Sequence, residues 1–293
     1  SLCSKISALI GRYDLSTQLY EPLRLRKESL AKTIHSTASI EGNKLTLKEV
    51  THVIEGKKIQ GPKKDIKEIQ NLHILYSRID EFDPLSLTDF QKAHKILMSG
   101  ILNSGDYGIR KVDVAITDGN VIKYQAPSYV DVQSLLDYVF EYDFGETPPL
   151  VASSIFHHMI ETVHPFVDGN GRIGRFWQSL YLHHKQSVTF SLLPIETIIS
   201  NSTSNYYKAL TRTRDQYDFC YFVEYMLKTI YQCCVNAEKI IGKRTEDKYE
   251  QRIEKAQRIF SNKIFSRKEY ISLNDVSTAT GSLDLSKLVK GGY

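Results

Sequence analysis

The sequence predicts a mainly helical fold, a helical bundle carrying one small β-hairpin. Three observations predict it. Several segments place apolar side chains three and four residues apart, the period of one helix face. One segment alternates apolar and polar residues around a glycine turn. Prolines and capping residues punctuate the chain between these segments.

Residues 23–41 read as the first clear helix, with Leu23, Leu30, Ile34 and Ala38 on one face. Gly42 suits its C-terminal cap. Thr46 with Glu49 forms a capping box for the next helix, and Leu45 and Val50 are placed as its hydrophobic staple. An amphipathic helix follows over 66–82, then one over 86–97 with Ser86 or Thr88 as cap. Val112 to Ile116 alternates, and Val121 to Tyr124 follows after Thr117-Asp118-Gly119-Asn120. Asp118-Gly119 is a strong signal for a two-residue hairpin loop. Val132, Leu135, Leu136, Val139 and Phe140 stripe a helix over 131–143. Pro148-Pro149 opens a helix reaching Val163, with Phe156, Met159, Ile160 and Val163 inward. The next runs from about Asn170 to His184 and turns Ile173, Phe176, Trp177 and Leu180 inward. Further helices are expected over 205–214 and 219–242; in the latter, Tyr221, Phe222 and Tyr225 read as core. Charge rises over 243–258, the mark of a solvated linking helix, and two short helices around a turn end the chain.

The chemistry concentrates between His164 and Arg175, His-Pro-Phe-Val-Asp-Gly-Asn-Gly-Arg-Ile-Gly-Arg. Gly169, Asn170 and Gly171 can curl successive N–H groups into an anion nest. A helix starting there adds its free N–H groups and positive dipole end. Arg172 and Arg175, three apart, share a helix face and offer planar forks that match phosphate oxygens. Two arginines and a nest suggest a polyphosphate. Asp168 would repel bare phosphate but suits Mg²⁺ held between a carboxylate and phosphates. His164, with an ordinary pKa of about 6.5, has the neutral fraction a general base needs at neutral pH. Pro165 stiffens the turn and Phe166 is expected to pin it to the core. Each residue alone has a bland structural reading. All of them in register, between two amphipathic helices, do not.

This stretch resembles the signature of the Fic family, HxFx[D/E]GN[G/K]RxxR, at every specified position. His157 to Val163 before it and Tyr206 to Leu210 after it look similar too, and the resemblance covers roughly residues 30–240. Most Fic proteins transfer AMP from ATP to a Ser, Thr or Tyr hydroxyl of a protein. The resemblance implies that His164 deprotonates the target hydroxyl and that Asp168 holds Mg²⁺. It implies that Gly169, Asn170 and Gly171 cradle the phosphates, with Arg172 and Arg175 toward the β/γ end. Gly171, where phosphate-transferring relatives often carry Lys, favours nucleotidyl transfer. Thr37, Glu41 and Gly42 match the family's inhibitory motif, [S/T]xxxE[G/N], which implies a Glu41–Arg175 pair that blocks productive seating of ATP. Glu41 is also odd on its own terms, since a carboxylate in the last turn meets the negative end of a helix dipole. The hairpin residues Val114, Ala115, Ile116 and Thr117 correspond to the family's flap, which clamps the protein substrate as an added strand. Tyr207 corresponds to the adenine pocket.

On this resemblance the chain divides into an N-terminal region with the inhibitory helix (1–84), a catalytic core (85–242) and a linker helix with a helix-turn-helix-like tail (243–293). The tail is similar to the winged helix of many Fic proteins. However, Leu283 replaces the usual Arg and the chain stops before a wing, which weighs against nucleic acid as a partner. ATP and a protein substrate are the implied partners, and a homodimer is left open. The alternatives are transfer of UMP, phosphocholine or phosphate, removal of AMP, and a DNA-binding regulator with an inactive core.

Composition sets outer bounds. With 293 residues, 41 % of them hydrophobic, the chain can bury about three quarters of its unfolded surface. A net charge of +4 is slight and points to no polybasic tail. Cys3, Cys220, Cys233 and Cys234 lack metal-ligand spacing. Reduced, buried thiols at 233 and 234 fit a cytoplasmic setting. No apolar run is long enough to span a membrane.

Overall fold

The computed structural model describes the chain apart from residues 20–21, 119–120, 262 and 291–293, and apart from the side chains of 13–25, 104, 117–121, 123 and 241–247. The helices in chain order are α1 (Leu2–Leu19), α2 (Pro22–Ile40), α3 (Leu47–Ile54), α4 (Lys63–Ser77) and α5 (Leu87–Met98). The hairpin β1 (Ala115–Asp118) and β2 (Val121–Gln125) follows. Then come α6 (Val132–Glu141), α7 (Pro149–Val163), α8 (Asn170–Lys185), α9 (Ile195–Ser200), α10 (Thr203–Gln216), α11 (Cys220–Phe260), α12 (Arg267–Asn274) and α13 (Thr278–Lys290).

Two compact units result: residues 1–10 with 23–234, and residues 11–22 with 235–293. They do not coincide with the three regions read from sequence, because residues 23–84 share the core of the first unit. Ile34 and Ala38 of α2 belong to one apolar cluster with Leu72 of α4, Phe90 of α5, Phe156 of α7 and Trp177 of α8. Edge-on aromatic contacts lock this cluster, with Phe90 and Trp177 ring centroids 5.0 Å apart. The indole N–H of Trp177 donates to the Pro84 carbonyl at 2.9 Å, so its one polar atom is satisfied in the core.

Local signals set the ends of the elements that carry the site. At the end of α2, Gly42 (φ 92°) supplies the left-handed residue. The Asn43 N–H bonds the Ala38 carbonyl at 3.1 Å and the Gly42 N–H bonds that of Ser39 at 3.0 Å, a Schellman closure. Thr46 and Glu49 form both halves of their capping box, and Ser86 caps α5 by accepting from Asp89 N–H. The helix expected over 66–82 stops at Ser77, and a 3₁₀ turn (Ile79–Glu81) follows.

The hairpin departs from expectation in detail. Pairing begins at Ala115, so Val112 to Val114 lie outside the ladder, although the Val114 carbonyl accepts from Ala126 N–H at 3.2 Å. Asp118 pairs with Val121 instead of opening the loop; Gly119 and Asn120 lie outside the described residues. The register slips by one between Ile116 and Thr117, a bulge that sharpens the local twist.

In the second unit Ile253, Ala256 and Tyr270 form a small core. Arg252 grips the buried Asp284 with two bonds of 2.6 and 2.9 Å, and Tyr270 Oη donates to the same carboxylate at 3.0 Å. Helices α12 and α13 flank a turn at Asp275 (φ 49°), and no strand accompanies them among the described residues.

Candidate active site

The turn between α7 and α8 is built by its own sequence. Helix α7 ends on His164, whose backbone is left-handed (φ 48°, ψ 60°), a conformation that disfavours a side-chain-bearing residue. The surroundings hold it there. The Arg110 side chain is buried, and its Nε donates to the His164 carbonyl at 2.8 Å. Its other nitrogens donate to the carbonyls of Val112 (2.9 Å) and Pro127 (2.5 Å), and its own N–H to that of Pro165 (2.9 Å). One guanidinium thus joins both ends of the hairpin to the turn.

Asn170 closes the turn from the other side. Its Oδ1 accepts from Phe166 N–H at 2.9 Å and its Nδ2 donates to the Phe166 carbonyl at 2.8 Å. The Asn170 side chain is therefore committed to the turn, and what it offers an anion is its backbone N–H. Phe166 is fully buried and stacks on His94, with centroids 3.5 Å apart. His94 Nε2 meets the Asp168 carbonyl at 2.8 Å. Gly169 (φ 90°) precedes α8, and a side chain there would strike Met98 Sδ at 2.8 Å.

Arg172 and Arg175 diverge onto different helices. Arg172 Nη1 bonds Glu68 of α4 at 2.7 Å and its Nη2 bonds Asp168 at 2.5 Å. Glu68 also accepts from Asn43 Nδ2 at 2.9 Å. Arg172 thus faces two carboxylates, the countercharge that a buried cation needs. Arg175 reaches α2. Its Nε donates to Thr37 Oγ1 at 2.9 Å, and its Nη2 donates to the Thr37 carbonyl at 3.2 Å and to Glu41 Oε1 at 2.7 Å. Burial alone would lower the Arg175 pKa, but Glu41 and Tyr206 reverse this and raise it. Glu41 Oε1 also lies 2.5 Å from where a Cβ on Gly171 would stand, so the carboxylate sits against the first turn of α8.

The His164 imidazole has its pKa lowered by burial; Glu161 pushes the other way. Asp168 is partly exposed, and its hydrogen bonds, from Gly169 N–H and Arg172, both fall on Oδ1. Oδ2 carries none among the described residues, so one carboxylate oxygen beside the anion site suits a cation shared with phosphates. No cluster of three or more metal-ligating side chains occurs among the described residues.

The remaining expected residues lie more loosely around this centre. Tyr207 is 43 % exposed, and burial of its hydroxyl end, with Glu41 nearby, raises its pKa to about 12. A largely apolar cavity of about 460 Å³ opens beside the hairpin, walled by Tyr124, Val139, Met159, Thr162 and Arg214; Tyr207 is not on its wall. Ile116 is half-buried and Ala115 exposed on the hairpin, and the Thr117 side chain lies outside the described residues. Sequence reasoning missed Glu68, His94, Arg110 and Glu161. Only Glu161 had a local signal: a carboxylate inside the apolar helix that ends on His164.

A model of the Fic/DOC family matches residues 84–182. The protein adenylyltransferase fic-1 of Caenorhabditis elegans is 25 % identical over 215 residues, covering 70 % of this chain and 40 % of that protein. The protein adenylyltransferase Fic of Drosophila willistoni is 23 % identical over 191 residues, covering 62 % and 37 %. The chain spans about two fifths of the length of these curated relatives. Among solved structures, a Fic domain containing signaling protein from Bacteroides thetaiotaomicron shares the fold at 18 % identity (TM-score 0.70, covering 82 % of this chain and 97 % of that one). A Fic family protein from Desulfovibrio desulfuricans G20 superposes with a TM-score of 0.77 at 32 % identity, over 94 % of this chain and 83 % of that one. With the signature turn, the helices around it and that relative in agreement over nearly its whole length, this chain belongs to the Fic family.

Proposed function

We propose that the chain is a protein adenylyltransferase, moving AMP from ATP to a Ser, Thr or Tyr hydroxyl, and that Glu41 holds it in check. One observation carries the reading. The Glu41 carboxylate rests against the first turn of α8, 2.7 Å from Arg175, where free N–H groups and a cation favour an anion. A place that accepts this carboxylate accepts a phosphate, and the two compete for it.

The chemistry follows from the surrounding groups. Neutral His164 takes the proton of the incoming hydroxyl, and the oxygen attacks the α-phosphorus. The bond to the β-phosphate oxygen breaks and pyrophosphate leaves. Asp168, steadied by Arg172, is the residue that would hold Mg²⁺, which when bound neutralises phosphate charge. The first-turn N–H groups of α8 align the phosphates, so catalysis rests on positioning and charge stabilisation. The protein substrate would add a strand along the hairpin, which Arg110 ties to the turn bearing His164. Free, buried thiols at Cys233 and Cys234 suit a reducing compartment such as the cytoplasm.

The test is intact mass after incubation with Mg²⁺ and ATP. Glu41→Gly should gain AMP at least ~10-fold faster than the unaltered protein, on itself or on added protein, which is about 1.4 kcal/mol of restored seating. The double variant with His164→Ala should gain none. Equal labelling with and without Glu41 would remove the proposed brake, and labelling that survives loss of His164 would remove the mechanism.

A further inference from the structure

Glu68 enters no step of the chemistry above, yet this residue of α4 is 6 % exposed and carries a charge. Its hydrogen bonds establish the charge. Arg172 Nη1 donates to Oε1 at 2.7 Å, and Asn43 Nδ2 donates to Oε2 at 2.9 Å. The Asn43 amide has one orientation, because its Oδ1 accepts from Leu45 N–H at 3.0 Å and its Nδ2 also donates to the Asp65 carbonyl at 3.2 Å. Both partners of Glu68 can therefore only donate. An acid proton on either oxygen would find no acceptor among the described residues, so the group is ionised. The helix that carries it is anchored. Asn71, three residues on, donates to the carbonyls of Leu97 and Ser99 at 2.9 and 2.7 Å, which ties α4 to the end of α5.

Arg172 stands between this carboxylate and Asp168. A guanidinium that faces one carboxylate alone tends to close on both of its oxygens with two parallel bonds. Here Glu68 occupies Nη1, so Nη2 alone turns to Asp168, and it meets Oδ1. The Gly169 N–H falls on the same oxygen at 2.6 Å, and Oδ2 has no hydrogen bond among the described residues. Charge follows the same division. One guanidinium between two carboxylates leaves one negative charge over. Asp168 is the more exposed of the two carboxylates, so that charge is open to an ion there. Without Glu68, the Arg172–Asp168 pair would be neutral and would attract a cation little.

We propose that Glu68 is a positioning residue for the cation site: by holding half of the Arg172 fork and balancing its charge, it keeps Asp168 Oδ2 free and the site negative. No bond forms or breaks at Glu68 in this role. The assignment rests on the adenylyl-transfer reading for its purpose, and its first test is a binding measurement.

The probe is Mn²⁺, titrated into the Glu41→Gly chain with ADP present and followed by its EPR signal. Asp168→Asn marks the share of binding that belongs to this carboxylate; if that variant binds Mn²⁺ as before, no cation sits there and the proposal falls. Glu68→Gln keeps an oxygen for Arg172 and removes the charge, so it should weaken this share roughly 10-fold or more. An unmoved affinity overturns the proposal. Asn43→Ala removes the neutral bond to the same carboxylate and leaves the charge, so it should weaken Mn²⁺ binding far less. Equal losses in the two variants would mean that packing of α4, and not charge, supports the site, and would sink the proposal. Should Glu68→Gln fail to fold, Glu68→Asp draws the carboxylate back from Arg172 by one methylene and should weaken Mn²⁺ in the same direction; no change there overturns the proposal equally. Turnover is then read in the Glu41→Gly background. Adding Glu68→Gln should raise the Mg²⁺ concentration for half-maximal transfer by a similar factor, and a loss of kcat with an unmoved Mg²⁺ requirement would count against the proposal. If Asp168→Asn abolishes Mn²⁺ binding and Glu68→Gln leaves it whole, the role of Glu68 falls and the adenylyl-transfer reading stands. If Glu68→Gln weakens Mn²⁺ but no variant transfers AMP, the role stands and that reading fails.

Discussion

At the residue scale, Arg175 decides how the site is held. It is 2 % exposed and makes three bonds to α2 and the turn that ends it, two to Thr37 and one to Glu41. Only the bond to Glu41 puts a negative charge against the first turn of α8, because Thr37 contributes a hydroxyl and a carbonyl. The two residues of the motif therefore do different work: Thr37 seats the guanidinium and Glu41 occupies the anion position. Thr37→Val should cost about 1 kcal/mol of stability, the worth of one buried hydrogen bond. It should accelerate AMP transfer less than Glu41→Gly, since the charge stays in place. Thermal melts and transfer rates of the two variants side by side check the order. If Thr37→Val activates as strongly, seating of the arginine, and not occupation of the anion position, is what restrains the protein.

At the element scale, Arg110 is the joint between the hairpin and the catalytic turn. Three of its bonds, to the carbonyls of Val112, Pro127 and His164, are 2.9 Å or shorter, and among the described residues those carbonyls have no comparable donor if the side chain is cut back. Arg110→Ala should destabilise the fold by on the order of 3 kcal/mol or more. It should also speed amide exchange at Ala126, whose N–H closes the hairpin base on Val114. Urea unfolding and hydrogen exchange measure the two effects; unchanged exchange at Ala126 would mean the hairpin base stands without this joint. The role of Arg110 was not legible beforehand, since the partners of its guanidinium lie up to 54 residues away and a guanidinium leaves no periodic trace. Glu68 was equally hidden: nothing local says which carboxylate will meet Arg172. The turn itself was legible because it is contiguous, and α7 and α8 because their stripes are long and their ends carry Pro149 and Gly169. Helix α9 has six residues, too few to show a stripe. Helix α11 was expected to end near Gly242 but runs 41 residues to Phe260, because one glycine weakens a helix by about 1 kcal/mol without supplying a stop.

At the scale of the whole first unit, burial of titratable groups fixes how stability follows pH. Burial holds His94 and His158 at about 4, so both stay neutral in the fold while the unfolded chain takes up protons near the ordinary value of 6.5. Their contribution is complete above that value and is lost as pH falls toward about 4. Glu196 runs the other way. Burial raises it to about 7 against an ordinary 4.5, so its contribution is complete below 4.5 and lost as pH rises toward 7. Between those ordinary values the unfolded chain binds a proton more at each histidine and one fewer at the glutamate, a net uptake of about one. His35, His73 and His164, also lowered by burial, act in the same direction, so stability should fall by at least about 1.4 kcal/mol for each unit of acidification. His158→Gln removes one of these histidines and should flatten the slope by about 1.4 kcal/mol per pH unit, whatever it does to absolute stability. Urea midpoints across that range measure the slope, and an unchanged slope in the variant would mean His158 is not held neutral. The same burial lowers His164, so loss of transfer on the acid side has two sources, a base that becomes protonated and a fold that loosens. Only the second moves when His158 is replaced, so the transfer profile of that variant, read beside its urea midpoints, separates the share of the fold in the acid limb from that of the base.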